Sequence, residues 1–345
     1  MTALPLRFDD VDALETFMSE PTPGLVADFE RIDGDIMVLG VGGKMGPTLA
    51  RMARRAAPAR RVIGVARFTD STLAASLERH GVECIACDLL DREALLRLPN
   101  VADGVRNCVF MAGQKFGADN ASLTWMMNVG VPMMVAETFR EMRIVSFSTA
   151  CVYPFVPVDG PGADEQTPTT PPTGDYANSC VGRERMFEYG SRKYGTPGRM
   201  VRLSYAIDMR YGVLHDVARS VFAGTPLDLT MGHADVIWQG DANEQALRLL
   251  AHCTAPASPI NITGARHTSV RWLAAEFGRR FGLAPVLTGQ EAPTAWLEDT
   301  TQAQRLFGPP RVPIETMIDW VADWVRRDGP SLGKPTHFST RDGKY

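Results

Sequence analysis

Apolar runs alternate with amphipathic segments through the first 150 residues of the chain. The short apolar runs, each of which predicts a strand, are DIMVLG, RVIGVAR, VECIACDLL, RNCVFMAG and RIVSFSTA. Segments between them, such as GPTLARMARRAA and STLAASLERHG, repeat their apolar residues with the spacing of a helix. Apolar strands separated by helices of this length predict a parallel sheet that is covered on both faces. The predicted fold class is therefore α/β, a doubly wound, Rossmann-type parallel sheet with a smaller C-terminal α/β substrate lobe.

Changes in this pattern divide the chain into segments. They are an acidic N-terminal extension with two short helices (1–34), a dinucleotide-binding domain (35–205), a substrate lobe of shorter elements (206–330) and a polar, extended tail (331–345). Within the lobe, DVIWQGDANEQALRLLAH predicts a strand that passes into a helix capped by Asp241. The stretch between Tyr153 and Tyr176 is rich in Pro, Gly and Thr, which predicts a loop at the mouth of the sheet.

Composition narrows the class of protein. The formal net charge is -4 and the basic residues are scattered among acidic ones, so no basic stripe predicts a nucleic-acid partner. No apolar run approaches the roughly 18 residues of a membrane span, and the N-terminus lacks the basic start of a signal peptide, so we expect a cytoplasmic protein without a membrane partner. Cys84 and Cys87 form a CxxC in a predicted strand, where residues three apart point to opposite faces. We therefore predict no metal site.

The segment DIMVLGVGGKMGPTLA places several glycines between a strand and a helix. Glycine permits a tight turn and lets backbone N–H groups and the helix N-terminus approach a pyrophosphate. This context predicts that the loop binds a dinucleotide. The predicted loop residues are Gly40, Gly42, Gly43, Lys44, Met45 and Gly46.

The end of the second strand indicates which dinucleotide binds. An acidic residue there would bind the adenosine ribose of NAD, but this strand ends in GVARF. Arg67 can pair with a 2′-phosphate and Lys44 adds positive charge in the loop, so the sequence favours NADP over NAD as the cofactor. The other predicted cofactor contacts, at the ends of the third and fourth strands, are Asp88, Leu89, Ala112 and Gly113.

These features resemble the extended short-chain dehydrogenase/reductase family, the NAD-dependent epimerase/dehydratase group. The resemblance runs from about residue 35 to 325 and rests on the GxxGxxG spacing of the glycine loop, DLLD at 88–91, FSTACVY at 147–153, Asn128, Tyr176 and PINITG in the lobe. It implies an enzyme with a nicotinamide cofactor and a small-molecule substrate. It also implies a homodimer formed through the long helices of SLTWMMNVGVPMMVAETF and CVGRERMFEY.

The resemblance implies a catalytic set in which one residue is replaced. In the family a Ser or Thr after the fifth strand orients the substrate, a Tyr exchanges its proton, and a Lys four residues later lowers the Tyr pKa and holds the nicotinamide ribose. Thr149 and Tyr176 match the first two residues, and Cys180 replaces the Lys. A thiol supplies no positive charge, so we expect Tyr176 to stay nearer its ordinary pKa of about 10. Tyr189 and Lys193 also spell YxxxK, but Tyr189 faces another side of the helix and is expected to be a packed residue.

Two other cations are candidates for the missing charge. Arg183 follows Tyr176 by seven residues, about 20° away from the same helix face, and its long side chain has partial reach. Lys115, in AGQKFG beyond the fourth strand, approaches from the loop side. Ion pairing at the surface is the alternative role for Arg183.

The residues around this set limit the reaction. Family dehydratases carry an acidic pair where this chain has Ala150 and Cys151, and family epimerases of nucleotide sugars commonly have an Asn where it has Ser204 and Tyr205. The resemblance therefore implies hydride transfer to or from a small sugar, sugar acid or other polyhydroxylated or keto substrate. The candidate substrate contacts are Lys115, Ser204, Tyr205 and Arg210. Two alternatives stay open, an NAD(P)-binding sensor or scaffold without turnover and an epimerase that acts through a transient ketone. The arginines that are candidates to bind a substrate carboxylate or phosphate, with structural ion pairs as their alternative role, are Arg210, Arg266 and Arg271.

Overall fold

A computed structural model describes residues 4–114, 120–334 and 336–341 of the chain. Their strands are β1 (Asp35–Leu39), β2 (Val62–Ala66), β3 (Glu83–Ala86), β4 (Val105–Phe110), β5 (Arg143–Thr149), β6 (Val156–Pro157), β7 (Gly198–Leu203), β8 (Tyr205–Ile207), β9 (Leu227–Asp228), β10 (His233–Ala234), β11 (Val236–Trp238), β12 (Ser258–Ile262), β13 (Thr268–Ser269), β14 (Leu287–Thr288) and β15 (Thr294–Ala295). Their helices are α1 (Val11–Met18), α2 (Pro23–Glu30), α3 (Gly46–Ala56), α4 (Ser71–Arg79), α5 (Arg92–Val101), α6 (Ala121–Trp125), α7 (Val131–Thr138), α8 (Asp175–Tyr194), α9 (Val213–Ala223), α10 (Gln239–Arg248), α11 (Val270–Phe281), α12 (Thr301–Phe307) and α13 (Ile314–Arg326). A π-helical turn spans Met126–Gly130, and 3₁₀ turns span Ala150–Val152 and Leu249–His252.

The main sheet has seven strands in the order β12-β7-β5-β4-β1-β2-β3. Each neighbouring pair is parallel, and apolar cores cover both faces of the sheet. The predicted α/β class and its doubly wound sheet are confirmed. The strand order reverses between β1 and β4, and such sheets open a crevice at this point, at the carboxyl ends of their strands.

The register of the sheet places the ends of four strands side by side. Leu39 pairs with Phe110, so the loop after β1 lies beside the end of β4. Thr149 pairs with Leu203, so the end of β5 lies beside Ser204. Segments that are far apart in sequence therefore meet along one edge of the sheet.

The predicted strand RMVRLSYAI is two strands with different partners. β7 lies in the main sheet as far as Leu203, whereas β8 pairs with β11 in a small sheet. The neighbours of β7 end at Thr149 and Ile262, so the residues after Leu203 have no strand to pair with there. The chain turns away at Ser204 and places Tyr205 beside the crevice.

The predicted segments share their cores. β12 and α10, from the predicted lobe, belong to the main sheet and to the core on one of its faces. α1, from the predicted N-terminal extension, places Leu14 and Met18 in the core of the lobe. Amphipathic elements cover apolar surface wherever the fold exposes it, and that surface can lie far away in sequence. The four segment boundaries stay a prediction. α1, α10 and β12 each pack against a segment other than the one in which they lie.

The predicted helix cap at Asp241 is wrong. α10 begins two residues earlier, at Gln239, and Asp241 lies within its first turn. The buried carboxylate accepts the backbone N–H of Val312 at 2.9 Å and lies 3.6 Å from Arg311. Burial raises the pKa of Asp241 to about 6. The residue therefore joins α10 to the segment before α13.

The predicted strand with the CxxC spacing has its cysteines on opposite faces. Cys84 packs against the core on one side of the sheet and Cys87 lies in the core on the other side, as the strand pattern predicts. The two thiols are therefore separated by the sheet. Over the described ranges, no helix is long and apolar enough to cross a membrane.

Candidate active site

Two cavities meet at the crevice where the strand order reverses. The first, called here the β2–β3 cavity, has a volume of about 490 Å³ and is lined by the loops after β2 and β3. The second, the β5–α8 cavity, has a volume of about 310 Å³ and lies between the end of β5, the start of α8 and the lobe. Residues that line both cavities are Gly40, Gly43, Met111, Gly113 and Gln114. The two cavities therefore form one groove across the carboxyl ends of the strands.

The glycine loop lies between the two cavities. Gly40 has a φ of +88°, and a side chain there would collide with the backbone that follows β4. A side chain at Gly46 would collide with the backbone of Val41, so glycine lets α3 approach the loop. At Gly42 and Gly43, by contrast, an added Cβ would make only ordinary contacts with the protein. Packing does not require glycine at these two positions, and the space they leave on the cavity side suits a pyrophosphate.

The start of α3 also suits an anion. Its N-cap residue, Met45, makes no side-chain hydrogen bond to the helix, so no side chain takes the place of an anion there, although the Gly46 N–H donates to the Gly43 carbonyl at 3.3 Å and Pro47 has no N–H. An uncapped helix start beside a glycine loop is the arrangement that holds the pyrophosphate of a dinucleotide.

The Lys44 side chain points into the β5–α8 cavity, whereas its predicted role, beside a 2′-phosphate, requires it to point into the β2–β3 cavity. Its ammonium donates to the carbonyl of Ala206 at 2.7 Å and lies 4.5 Å from the centre of the Tyr211 ring, in the wall of the β5–α8 cavity. The carbonyl in β8 and the aromatic face hold the charge there. The predicted contribution of Lys44 to a 2′-phosphate site is therefore wrong.

The β2–β3 cavity brings together the residues predicted for the adenosine half of the cofactor. Arg67, Asp88, Leu89 and Ala112 line it. Asp70 also lines it, but its carboxylate caps α4 by accepting the backbone N–H and the hydroxyl of the second helix residue at 2.9 and 2.7 Å. Among the described residues that line this cavity, the exposed Arg67 is the cation.

Thr149 and Tyr176 lie together in the wall of the β5–α8 cavity. The Thr149 hydroxyl accepts the backbone N–H of Cys151 at 3.2 Å and lies near the Tyr176 phenol, whose pKa it lowers. Burial raises the pKa of Tyr176 well above its ordinary value of 10.0. The charge of Arg183 and the polar hydroxyl of Thr149 oppose this rise. The phenol therefore keeps its proton at neutral pH.

Cys180 lies in an apolar cluster beside the cavity. It is fully buried together with Val152 and Trp296. Burial raises the pKa of its thiol, so Cys180 is neutral and supplies no charge to Tyr176. The second YxxxK pair lies elsewhere, because Tyr189 is 56% exposed on the surface of α8 with Lys193 beside its ring. The expectation that this tyrosine is packed is wrong.

Arg183 lies buried two helical turns after Tyr176. Helix side chains point toward the N-terminus, so its guanidinium reaches back to the cavity wall. There it donates to the carbonyl of Phe147 at 2.9 Å and to the side-chain oxygen of Asn128 at 2.6 Å. Within the described part of the chain its buried Nε has no hydrogen-bond partner. A side chain at Gly113 would collide with the guanidinium, so glycine at the end of β4 makes room for it. The alternative of surface ion pairing is excluded.

Asn128 holds this arrangement from the neighbouring helix. It is fully buried in the π-helical turn, a distortion that is frequent at functional sites. Its side-chain oxygen accepts the backbone N–H of Gln114 at 2.9 Å, and its amide donates to the Ser179 hydroxyl at 3.0 Å and to the Gln114 carbonyl at 3.2 Å. Asn128 therefore joins α8 to the chain that follows β4.

The residues predicted for substrate meet different outcomes. Ser204 and Tyr205 line the β5–α8 cavity. Lys115 lies outside the described residues. Residues of the lobe and the tail that the sequence does not predict also line this cavity, namely Tyr211, Trp296, Thr336 and His337. Their places depend on the fold of the lobe, and no local pattern marks them.

The three arginines proposed to bind a substrate anion are in structural ion pairs. Each faces a carboxylate of its own surroundings, so the alternative role weighed for them is the one observed, and the predicted substrate role of Arg210 is wrong. The pairs are Arg210 with Asp208 at 2.7 Å and with Glu15 at 2.8 Å, Arg266 with Glu315 at 3.2 Å, and Arg271 with Glu291 at 3.1 Å.

A buried carboxyl lies behind the lobe side of the cavity. Glu298 is 3% exposed, and burial raises the pKa of its carboxyl well above the ordinary value, with the nearby Asp235 raising it further and Arg202 opposing the rise. The Ser204 hydroxyl lies close, but no hydrogen bond of good geometry reaches either carboxyl oxygen from the described residues. Burial without a close cation favours the protonated form of Glu298.

Comparison with known proteins places the chain among its relatives. A sequence model of the NAD dependent epimerase/dehydratase family matches residues 36–223, which is more than half of the chain and includes the glycine loop and α8. The chain belongs to this family. This is an enzyme family with a nicotinamide dinucleotide cofactor, as the resemblance implies. No curated protein matches the chain in sequence.

Solved structures with low sequence identity share the fold. UDP-glucuronic acid 4-epimerase from Bacillus cereus, in complex with NAD, has a TM-score of 0.72 and 17% identity over 85% of this chain and 99% of that chain. UDP-glucose 4-epimerase from Thermotoga maritima, with UDP-glucose, has a TM-score of 0.70 and 17% identity over 85% and 99%. dTDP-glucose 4,6-dehydratase from Bacillus anthracis, in complex with NAD, has a TM-score of 0.73 and 15% identity over 86% and 97%. At sequence identities this low, the likeness shows that the fold is shared, and it shows nothing beyond the fold.

Proposed function

We propose that this family member transfers hydride between NADP(H) and a small polyhydroxylated or keto substrate, with Tyr176 as the proton donor. Arg183 supplies the positive charge in place of the family lysine. The observation that carries the proposal is that Thr149, Tyr176 and Arg183 converge in the wall of one cavity, which continues into the glycine loop. A bound nicotinamide supplies or accepts the hydride in such a site.

The protonation state of Tyr176 favours the direction of ketone reduction. A carbonyl carbon that receives hydride leaves negative charge on its oxygen, and this oxygen then takes a proton. Tyr176 still holds its proton at neutral pH because burial raises the pKa of the phenol, and Thr149 lies beside it in the same cavity wall. In the reverse direction Tyr176 would have to lose its proton first, which the same burial opposes.

The role of Arg183 follows from its charge and its surroundings. Its guanidinium lowers the pKa of Tyr176, the direction in which the family lysine acts. The phenolate that remains after proton donation is stabilised by a cation that is already fixed by Phe147 and Asn128. The guanidinium of Arg183 also lines the cavity that continues into the glycine loop, so its charge favours binding of an anionic cofactor.

The preference for NADP rests on Arg67. Its exposed guanidinium lines the β2–β3 cavity, and the nearby carboxylate of Asp70 is engaged as a helix cap. A guanidinium binds a phosphate with charge-assisted hydrogen bonds, which are stronger than bonds to the ribose hydroxyls of NAD. Calorimetric titration with NADP+, NADPH, NAD+ and NADH tests this preference.

We expect Arg67→Ala to weaken NADP(H) binding by about 10- to 100-fold and to leave NAD(H) binding unchanged. Arg79→Ala is the matched control, since Arg79 is an exposed arginine in the last turn of α4 and lies outside the cavity wall. Equal affinity of the unaltered protein for both cofactors, or equal losses in the two variants, would contradict the preference for NADP.

The reaction is tested by mixing the cofactor-loaded protein with sugars, sugar acids and ketones while the nicotinamide absorbance is followed. A substrate-dependent change in absorbance supports net hydride transfer. Isomerised product without a net change identifies an epimerase that acts through a transient ketone. Cofactor binding with neither result identifies a sensor or scaffold and refutes the proposed reaction.

A homodimer and a cytoplasmic location are also part of the proposal. The homodimer is supported by apolar side chains that are exposed on the long helices of the family's dimer surface. They are Trp125, Met126, Met133 and Tyr189.

A further inference from the structure

The C-terminal tail forms part of the wall of the β5–α8 cavity. Thr336 and His337 line this cavity beside Tyr211 and Trp296. The sequence predicts only a polar, extended tail here, whereas Thr336 and Phe338 are buried. A segment from the end of the chain therefore meets the place where the family reaction occurs.

Residues 336–341 are held on the lobe by three separate anchors. The backbone N–H and the hydroxyl of Thr336 donate to one carboxylate oxygen of Asp216, at 2.8 and 2.6 Å. Phe338 packs in the apolar core of the lobe. The Arg341 guanidinium donates to the carbonyl and the hydroxyl of Thr294 at 2.6 and 2.7 Å. The anchors lie on both sides of His337, so its backbone is fixed.

His337 lies between the cavity and the outside of the lobe. It lines the β5–α8 cavity and also an outer groove whose wall includes Arg219 and Lys334. Its φ is +53°, a left-handed conformation that is uncommon for a residue with a side chain. Such conformations persist where the surroundings enforce them, and they cluster at ligand sites. His337, an exposed residue, therefore lies at the border between the cavity and the groove.

The chemistry of the cavity wall indicates what it accepts. Around His337 the wall offers hydroxyl and aromatic groups, from Ser204, Tyr205 and Trp296. The lobe arginines that could hold a diphosphate are in ion pairs elsewhere. The volume of about 310 Å³, close to the lower end for small-molecule pockets, is shared with the glycine loop. Among the described residues of the β5–α8 cavity wall, the two cations are Lys44 and Arg183. Lys44 is engaged by the Ala206 carbonyl, and Arg183 is engaged by Phe147 and Asn128. The wall therefore offers little charge to the diphosphate of a nucleotide-linked sugar, which also needs more space.

We infer that His337 is a substrate-binding residue and that segment 336–341 restricts the substrate to a compact polyhydroxylated molecule without a nucleotide. This inference rests on the proposed function, because it takes the β5–α8 cavity as the substrate site. The imidazole hydrogen-bonds a substrate hydroxyl or carboxylate, and the anchored backbone of the segment closes the cavity against larger groups.

The test measures ligand binding to the cofactor-loaded protein by thermal shift and calorimetry. The compact probes are aldoses, aldonic acids and uronic acids, and the large probes are UDP-glucose and UDP-glucuronic acid. We expect a compact probe to bind and the UDP-linked probes not to bind. Binding of a UDP-linked probe, or no binding of any compact probe while the cofactor binds normally, overturns the inference. Failure of the cofactor to bind is a different result, since it refutes the proposed function itself.

Variants of segment 336–341 test whether His337 itself binds the compact ligand. His337→Gly removes the imidazole and relieves the strained φ, so we expect a folded protein whose Kd or KM for the compact ligand rises roughly tenfold, with cofactor affinity unchanged. His337→Asn, which tolerates the left-handed conformation and keeps a hydrogen-bonding side chain, restores part of the affinity. Ser339→Ala is the matched control, because Ser339 lines only the outer groove. Equal affinity in His337→Gly and Ser339→Ala overturns the role of His337.

Discussion

The guanidinium of Arg183 donates to the side-chain oxygen of Asn128 at 2.6 Å, directly behind Gly113. A side chain at Gly113 would meet both groups, so the glycine, the amide and the guanidinium form one arrangement. The buried charge lies at the end of β4 and beside Tyr176, although the helix position of the family lysine holds Cys180. This chain thus keeps a cation near Tyr176, but an arginine at position 183 provides it in place of the family lysine at position 180.

Removal of this cation should slow the reaction and weaken cofactor binding. We expect Arg183→Met to lower the rate of hydride transfer by about 100- to 1000-fold and cofactor affinity by about tenfold. Arg185→Met is the control, since Arg185 is an exposed partner of Glu188 on the same helix. Rapid-mixing absorbance measures the rate, and calorimetry measures the affinity without need of a substrate. Equal behaviour of the two variants would remove Arg183 from the mechanism.

An exchange of charge between the two helix positions tests the substitution directly. Cys180→Lys in the Arg183→Met background restores the family lysine at its usual place, and we expect recovery of at least a tenth of the lost rate and affinity. Cys180→Lys alone buries a second cation beside Arg183 and should lower the temperature of unfolding. If the double variant is as slow as Arg183→Met, a lysine at position 180 cannot replace the charge of Arg183.

The raised pKa of Tyr176 predicts different pH profiles for the two directions of the reaction. Ketone reduction uses the protonated phenol, so its rate should stay flat between about pH 6 and 9. Alcohol oxidation needs the phenolate, so its rate should rise about tenfold per pH unit over the same range. Tyr176→Phe should abolish both activities, whereas Tyr194→Phe, at the far end of α8, should change neither. A profile that bends near pH 7 in both directions would point to a histidine as the proton carrier.

The fold follows from local patterns, but the site follows only in part. Apolar periodicity predicts the sheet, and the glycine loop predicts the crevice, because both are properties of neighbouring residues. The direction of Lys44 depends on a carbonyl in β8, and the burial of Arg183 depends on the absence of a side chain at Gly113. His337 reaches the cavity through anchors more than a hundred residues away in sequence, such as Asp216. Such contacts between residues far apart in sequence produce no periodic pattern and no motif, so the sequence alone does not predict them.

Glu298 should make stability depend on pH in a defined direction. Its pKa in the folded protein lies above the ordinary value of 4.5, so the folded state binds a proton that the unfolded state has lost. The stability that this group contributes is therefore present below about pH 4.5 and is lost as the pH rises through the raised pKa. Asp235, Glu165 and Arg202 are the charged groups that act on Glu298.

We expect Glu298→Gln, which cannot ionise, to raise the temperature of unfolding more at pH 8 than at pH 5, by about 2–4 °C for each kcal/mol regained. Glu276→Gln is a control of opposite sign, because hydrogen bonds from Arg280 and Arg279 lower the pKa of Glu276. That variant should lose stability at neutral pH. Scanning calorimetry at the two pH values measures both, and an equal effect of Glu298→Gln at pH 5 and pH 8 would refute the raised pKa.

The exposed apolar side chains of α6, α7 and α8 predict how two copies of the chain meet. Met133 is 54% exposed and Tyr189 is 56% exposed, and their burial against a second copy would remove apolar surface from water. A charge in the centre of such a surface costs more than the surface gains, so Met133→Glu should shift a dimer to a monomer in sedimentation velocity. Leu283→Glu introduces the same charge at an apolar residue of the lobe that is 44% exposed, and it should leave the dimer intact. A monomeric unaltered protein, or a dimer that survives Met133→Glu, would place the interface elsewhere or exclude it.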